Sequence, residues 1–166
     1  MEELERELPN LSTFVTLSPV PGFAAWLADE RRRVKYLIRS DLDLLMALDR
    51  PGWETETHSL PFQGALLRAV ATYLLCGKGT EGMPLDSVAR FHLGNGARLE
   101  RLNFLADVSD RGLRQGHGVM VNYLYKFDEM EANQERYAAG GDLPAAVGVR
   151  NHLRAAAALE KHKIRA

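Results

Sequence analysis

The apolar residues of this chain recur at two spacings, and each spacing predicts a different kind of element. In residues 62–75, Leu66, Ala69 and Tyr73 lie three and four positions apart, which predicts a helix. Residues 119–127 alternate large apolar residues with others, which favours a strand, although a helix is also compatible with the pattern. The patterns predict strands at residues 11–17, 88–93 and 119–127, and helices at residues 2–8, 23–34, 42–48, 62–75, 97–106, 128–137 and 149–163.

Turn-forming residues separate these elements. The segment Ser18-Pro-Val-Pro-Gly22 predicts a rigid turn after the first strand, and residues 51–60 are polar and predict a loop. Asn95 is available as the N-cap of the helix at 97–106, and residues 112–118 are rich in glycine. Helices mixed with a few strands predict an α+β fold in which helices pack on a small mixed sheet.

Composition narrows the class of protein. The chain has 166 residues, 46% of them hydrophobic, and a formal net charge of −1, which predicts one globular domain with a real core. With a sequence pI near 6.5, there is no basic excess that would indicate nucleic acid or a membrane surface as a partner. No segment approaches the roughly 20 apolar residues that span a bilayer. The acidic first residues resemble neither a signal nor a transit peptide, so a cytoplasmic location is expected.

Cysteine and histidine placement gives no sign of a metal site. Cys76 is the single cysteine, which excludes an internal disulfide, and its apolar neighbours predict a buried, unreactive thiol. The four histidines other than His92 have no mutual metal-ligand spacing: His58, His117, His152 and His162. We therefore predict no metal site.

His92 and Ser18 are the two side chains whose placement allows chemistry. His92 lies in the apolar run 88–93 and is followed by Asn95-Gly96, so an ionisable group would end a strand beside free backbone N–H groups. Two prolines, Pro19 and Pro21, follow Ser18 and restrict the backbone, which could hold its hydroxyl in one direction. Taken alone, the residues favour a core histidine and an ordinary turn serine.

Three blocks of sequence change that balance: residues 17–23, residues 84–97 and residues 101–125. They resemble the C-terminal part of malonyl-CoA decarboxylases, whose catalytic domain has a GNAT acetyltransferase-like fold. Ser18 matches the serine of the family's Ser-Pro-x-Pro-Gly-Phe motif, and His92 matches the histidine of its Phe-His-x-x-Asn-Gly-Ala motif. A tyrosine of an Asn-Tyr-x-Tyr motif also belongs to the family site; we assign it to Tyr125, with Tyr123 as the alternative.

The resemblance implies decarboxylation of malonyl-CoA to acetyl-CoA and CO2 in fatty-acid or malonate metabolism. Loss of CO2 leaves an enolate, and the thioester itself is the electron sink, so neither a metal nor an organic cofactor is expected. In this chemistry His92 would donate a proton to carbon, Ser18 would position the carboxylate, and Tyr125 would be a supporting hydrogen-bond donor.

The coenzyme A pyrophosphate needs cations or backbone N–H groups. Residues 111–118 offer both, and we assign binding to Arg111, Arg114, Gly116 and Gly118. The segment is a near miss to the acetyltransferase pattern [Gln/Arg]-x-x-Gly-x-Gly, because Leu113 occupies the basic or amide position. A charged surface loop is the competing interpretation.

Members of the family are longer, with a helical N-terminal domain that nothing here resembles. We expect residues 1–166 to form a single domain that corresponds to the C-terminal part of the catalytic domain. Missing strands would expose a sheet edge, which predicts a homo-oligomer or an upstream domain as partner. The alternatives are an acyl-CoA hydrolase or transferase with Ser18 as nucleophile, and a non-catalytic fragment that binds acyl-CoA.

Overall fold

The computed structural model describes residues 6–8 and 10–153. Three strands and six helices follow one another as β1 Thr13–Pro19, α1 Phe23–Arg33, α2 Arg39–Leu45, α3 Leu60–Cys76, α4 Ser87–Gly94, β2 Arg98–Asn103, α5 Asp110–Gly116, β3 Met120–Lys126 and α6 Met130–Ala138. Short 3-10 turns lie at Met46–Asp49, Trp53–Thr55 and Thr80–Gly82. Residues 147–153 are also helical.

The sheet has the strand order β1-β3-β2, and both pairings are antiparallel. The expectation of a mixed sheet was therefore wrong for these strands. Among the described residues, the parallel pairing is an isolated bridge between Leu99 and Ala145. In the register, Ser18 of β1 faces Val121 of β3, which in turn faces Leu102 of β2. Cross-strand partners share a face of the sheet, so all three side chains point toward the helices.

Helix α3 forms the centre of the core. Ser59 accepts a hydrogen bond from the Phe62 N–H and caps the helix, and Pro61 lies in its first turn, where a missing N–H is tolerated. The helix buries apolar side chains around most of its circumference, including Leu66, Val70 and Leu74 at no exposure. Such a helix is stable because neighbours cover it on several sides.

Two predicted elements have the opposite structure. Residues 88–93, predicted as a strand, lie within helix α4, which begins where Asp86 accepts a hydrogen bond from the Ala89 N–H. A short apolar run does not separate a buried strand from a buried helix. The predicted helix at 97–106 contains strand β2 instead, and Asn95 ends α4 rather than starting a helix.

A bulge explains why β2 looked helical in the sequence. Its register shifts between Leu99 and Arg101, so Glu100 is an extra residue. Leu99 and Leu102 consequently both face the core, although they are three positions apart. That spacing of three is the one that predicted a helix.

The remaining predictions are mostly confirmed. Strands β1 and β3 and helices α1, α3 and α6 lie where the patterns placed them. The predicted helix at 42–48 is shifted, since α2 ends at Leu45 and a 3-10 turn follows. The glycine-rich stretch holds α5, and Cys76 is half-buried rather than fully buried. The predicted helices at 2–8 and 149–163 lie partly outside the described residues.

Candidate active site

His92 reaches the interior because of its position on α4. Ala89, His92 and Leu93 form the buried face of this helix, and His92 is 9% exposed. The helix is held at its start by Asp86, whose buried carboxylate also accepts a hydrogen bond from the Tyr73 hydroxyl at 3.2 Å. The histidine is thus carried by a capped helix against the core face of the sheet.

Both ring nitrogens of His92 have hydrogen-bond partners on the sheet. Nε2 lies 3.1 Å from Oγ of Ser18 on β1, and Nδ1 lies 2.6 Å from the hydroxyl of Tyr125 on β3. Strand alternation turns Ser18 and Tyr125 to the same buried side of the sheet. The structure therefore brings together the three side chains that the family resemblance selected.

The environment of the ring indicates where the protons lie. Burial raises the pKa of Tyr125 to about 12, so its phenol keeps its hydrogen. Among the described residues its hydrogen-bond partner is His92, so the hydroxyl donates to Nδ1. Burial also lowers the pKa of His92 below its usual value, which favours the neutral imidazole with its hydrogen on Nε2.

The hydrogen-bonded chain continues beyond Ser18. Oγ1 of Thr16 lies 3.0 Å from Oγ of Ser18, two residues away on the same face of β1. With Nε2 donating to Ser18, the serine hydroxyl is free to donate to Thr16 or to an incoming acceptor. Sequence analysis missed Thr16, although its position two residues before Ser18 in a predicted strand was a usable signal.

The two candidate tyrosines contact His92 in different ways. The ring of Tyr123 stacks on the imidazole, with centroids 4.3 Å apart and planes 20° apart. Tyr125 meets the imidazole edge to face at 5.8 Å and supplies the hydroxyl contact. Phe14 stacks on the other tyrosine, Tyr125, at 4.6 Å and so supports its position.

A cavity of about 360 Å³ lies at the C-terminal end of β1, and Ser18, His92 and Tyr125 are not among the residues that line it. Its wall includes Pro19 and Val20, which follow Ser18, and Val88, which lies one helical turn before His92. The helix α5 supplies the opposite wall, including Arg111 and Gly116. The pocket is therefore lined by chain neighbours of Ser18 and His92, not by these two side chains themselves.

The structure separates the four predicted coenzyme A residues into two pairs. Arg111 and Gly116 line the cavity, whereas Arg114 and Gly118 do not. A Cβ on Gly116 would lie 3.1 Å from the Val20 carbonyl oxygen, so glycine lets α5 approach the turn after Ser18. Gly118 has φ +76 and starts the turn into β3, which gives it a backbone role.

Two further polar residues at the cavity were not predicted. Gln115 lines it from α5, and Asp107 lines it from the segment after β2. Hydrogen bonds from Ser109 lower the pKa of Asp107, so this carboxylate is charged beside Arg111. Within the described part of the chain, no three His, Cys, Asp or Glu side chains are grouped as a metal site.

The fold and the site together define an α+β domain with a buried Ser–His–Tyr hydrogen-bonded chain beside a pocket, an arrangement suited to acid–base chemistry. Residues 1–163 match the family described as "Malonyl-CoA decarboxylase C-terminal domain". The chain belongs to this family. The name of the family denotes a carboxy-lyase, and this agrees with the resemblance found in the sequence.

Individual relatives support the same assignment. The mitochondrial malonyl-CoA decarboxylase of Mus musculus is 34% identical over 166 residues, covering 87% of this chain and 34% of the mouse protein. The crystal structure of malonyl-CoA decarboxylase from Rhodopseudomonas palustris is 52% identical with a TM-score of 0.85, covering 91% of this chain and 35% of that one. The crystal structure of malonyl-CoA decarboxylase from Agrobacterium vitis is 45% identical with a TM-score of 0.82, covering 91% of this chain and 38% of that one. The chain thus spans little more than a third of the length of these relatives.

Within the described residues, no helix is long and apolar enough to cross a membrane.

Proposed function

We propose that this chain carries the centre that converts malonyl-CoA to acetyl-CoA and CO2. Membership of the family supports the reaction, and the single observation that carries the residue assignment is the contact of His92 with both Ser18 and Tyr125. We also propose that the sheet and its helices form part of a GNAT acetyltransferase-like domain. The family match and the packing of helices on an antiparallel sheet support that proposal.

Ser18 positions the carboxylate that leaves. Its hydroxyl already accepts the Nε2 hydrogen of His92, so its own hydrogen can move from Thr16 to a carboxylate oxygen of the malonyl group. Holding that carboxylate out of the thioester plane favours cleavage of the C–C bond. The bonding pair then enters the thioester, and CO2 departs.

His92 supplies the proton that the resulting enolate needs. Its Nε2–H gives the proton to the carbon that lost CO2, and the imidazole regains a proton from solvent after the product leaves. The Tyr125 hydroxyl donates to Nδ1 and stabilises the ring while it is short of a proton.

We propose that the cavity between α4 and α5 receives the coenzyme A moiety. Arg111 supplies a cation there, whereas Arg114 lies on the same helix outside the cavity. The matched pair Arg111→Ala and Arg114→Ala tests the proposal: the first raises KM for malonyl-CoA several-fold, and the second leaves KM near the parent value. Equal effects of the two variants on KM would show that Arg111 has no specific role in binding coenzyme A.

A hydrolase or transferase acting on acyl-CoA is the second candidate function. The distance of 3.1 Å from Ser18 Oγ to His92 Nε2 is also that of a nucleophile and its base. That reaction needs the serine hydrogen to point at Nε2, and Tyr125 opposes this arrangement because it donates to Nδ1. We therefore place decarboxylation first.

One incubation separates the two candidates. The purified chain is mixed with malonyl-CoA, and CO2, acetyl-CoA and free CoA are measured over time. Equal amounts of acetyl-CoA and CO2 support decarboxylation, while free CoA without CO2 supports hydrolysis. Binding of coenzyme A without any turnover would contradict both and indicate a non-catalytic acyl-CoA-binding domain.

We also propose that another polypeptide covers strand β1. This strand is at the edge of the sheet, and Val15 and Leu17 on its outer face are 54% and 55% exposed. An apolar edge of this kind pairs readily with a second strand, from another copy or from an upstream domain. Light scattering of the chain measures self-association directly. A cytoplasmic location stays a prediction; the Mus musculus relative is named as mitochondrial.

A further inference from the structure

We propose that Tyr123 is a positioning residue whose ring holds the imidazole of His92 in the orientation that directs Nδ1 to Tyr125 and Nε2 to Ser18. Its kinetic consequence rests on the proposed function, while its structural consequence does not. The proposal concerns the aromatic face of Tyr123, not its hydroxyl.

The contact between the two rings is close and nearly parallel. Their centroids are 4.3 Å apart with an angle of 20°, and Tyr123 has no exposed surface. Tyr123 faces Thr16 on β1 and Leu99 on β2, so strands on both sides hold it. A flat surface fixed in this way blocks rotation of the imidazole out of its plane.

The hydroxyl of Tyr123 indicates that the ring is the part in use. This hydroxyl is buried and has no hydrogen-bond partner among the described residues. A buried hydroxyl without a partner is unfavourable for the fold, so the hydroxyl does not account for a tyrosine at this position. Burial, together with the nearby charge of Asp86, raises the pKa of Tyr123 well above its usual value, so the phenol stays neutral beneath the imidazole.

Two hydrogen bonds alone do not determine which nitrogen faces which partner. Rotation of the imidazole by half a turn about its Cβ–Cγ bond places carbon atoms where Nδ1 and Nε2 were, and the hydroxyls of Ser18 and Tyr125 lose their partners. Such a rotation must pass through the space that the Tyr123 ring fills. The ring of Phe91 meets the imidazole edge to face, with centroids 5.2 Å apart. The ring that stacks on the imidazole is that of Tyr123.

Nuclear magnetic resonance of the free chain tests the structural consequence without any substrate. In the parent and in Tyr123→Phe, we expect upfield ring-current shifts of the His92 ring protons and ¹⁵N shifts of one neutral tautomer. In Tyr123→Leu, the ring-current shift disappears and the two tautomers mix. A single unchanged tautomer in folded Tyr123→Leu would overturn the proposal, whether or not the chain decarboxylates malonyl-CoA.

A second variant covers the case in which Tyr123→Leu does not fold. Tyr123→Met keeps a flexible apolar side chain of similar reach and removes the flat ring. It is expected to give the same mixed tautomers. If neither variant folds, the absence of an upfield shift in the parent and in Tyr123→Phe would still contradict the stacking role.

Kinetics with malonyl-CoA test the functional consequence. We expect kcat to fall about 10- to 100-fold in Tyr123→Leu, because a misplaced catalytic group costs that much, with KM changed less than about twofold. Tyr123→Phe restores kcat to within about twofold of the parent. The control is Phe62→Leu, which removes a ring stacked at 5.0 Å on His58, outside the site. A loss of kcat in the control as large as in Tyr123→Leu would make the effect one of stability.

Discussion

His92 and His58 both lie among aromatic rings, yet their ring nitrogens have different surroundings. Both nitrogens of His92 have hydroxyl partners, Ser18 and Tyr125. The ring centroid of His58 lies 5.5 Å from that of Trp53 and 5.0 Å from that of Phe62. Its buried Nε2, however, has no hydrogen-bond partner in the described part of the chain. An aromatic surrounding is therefore shared, and paired nitrogens beside a cavity are what distinguish the candidate site.

The two histidines differ in whether the ring serves packing alone or can also take part in chemistry. A buried imidazole whose Nε2 has no partner contributes to the core through its ring, and it has no defined direction of proton transfer. An imidazole between a phenol donor and a serine hydroxyl has both a defined tautomer and an acceptor beside a pocket. Substituting the two histidines in parallel tests whether this difference matters for function.

The largest effect is expected from His92→Ala. It removes the proposed proton donor, so kcat for decarboxylation should fall by about 10²- to 10⁴-fold. His58→Ala should change stability, while kcat stays within about twofold. Initial rates of acetyl-CoA formation, with unfolding midpoints for both variants, measure the difference. Equal losses of kcat would show that the two regions do not differ in function.

A third histidine extends the comparison to stability. Burial and the charge of Arg31 lower the pKa of His117 to about 4 in the folded chain. The unfolded chain binds a proton near pH 6.5, so the free energy of unfolding falls as pH drops through the window from 6.5 to 4. The shift from 6.5 to about 4 corresponds to roughly 3 kcal/mol, and the lowered pKa of His92 adds a contribution of the same sign.

His117→Asn measures the contribution of that group. His117 has φ +48, a conformation that asparagine tolerates, so the backbone of the variant is preserved. Urea unfolding between pH 4.5 and 7 should show a shallower dependence on pH in the variant than in the parent. The same slope in both proteins would mean that other groups carry the acid sensitivity.

A smaller effect is expected from Tyr125→Phe. The substitution removes the donor to Nδ1 and keeps the ring that stacks on Phe14. Losing one such hydrogen bond corresponds to about a tenfold decrease in kcat, with little change in KM. Stopped assays of both products measure it. Parent-like kcat in this variant would leave the Nδ1 contact without a role in the reaction.

The sequence predicted the outline of this fold better than its details. Strand β1 followed from its β-forming residues, β3 from alternation, and α3 from the helical spacing of its apolar residues. Helix α4 was missed because its apolar run is as short as a strand, and β2 was missed because the bulge at Glu100 places Leu99 and Leu102 three apart on one face. Bulges arise from pairing between strands, which local patterns do not encode.

The candidate site, like the fold, was predicted only in part from the sequence. The residue pattern alone favoured a core role for His92, and the family resemblance was needed to select it together with Ser18 and Tyr125. No local pattern predicts that side chains 74 positions apart come within 3.1 Å. Thr16 could have been inferred from strand alternation, since it lies two residues from Ser18 on the same face. Asp107 gave no signal, because its place at the pocket depends on the path after β2.

We propose that neutral His92, with Tyr125 donating to Nδ1, is the reactive form of the site. The most direct test combines the pH dependence of kcat/KM for malonyl-CoA with an NMR titration of the His92 ring in the same chain. We expect activity to be lost on acidification with the pKa of His92, which burial places below 6.5. Activity that rises as His92 gains its proton, or an acid limb that does not follow the His92 titration, would contradict it.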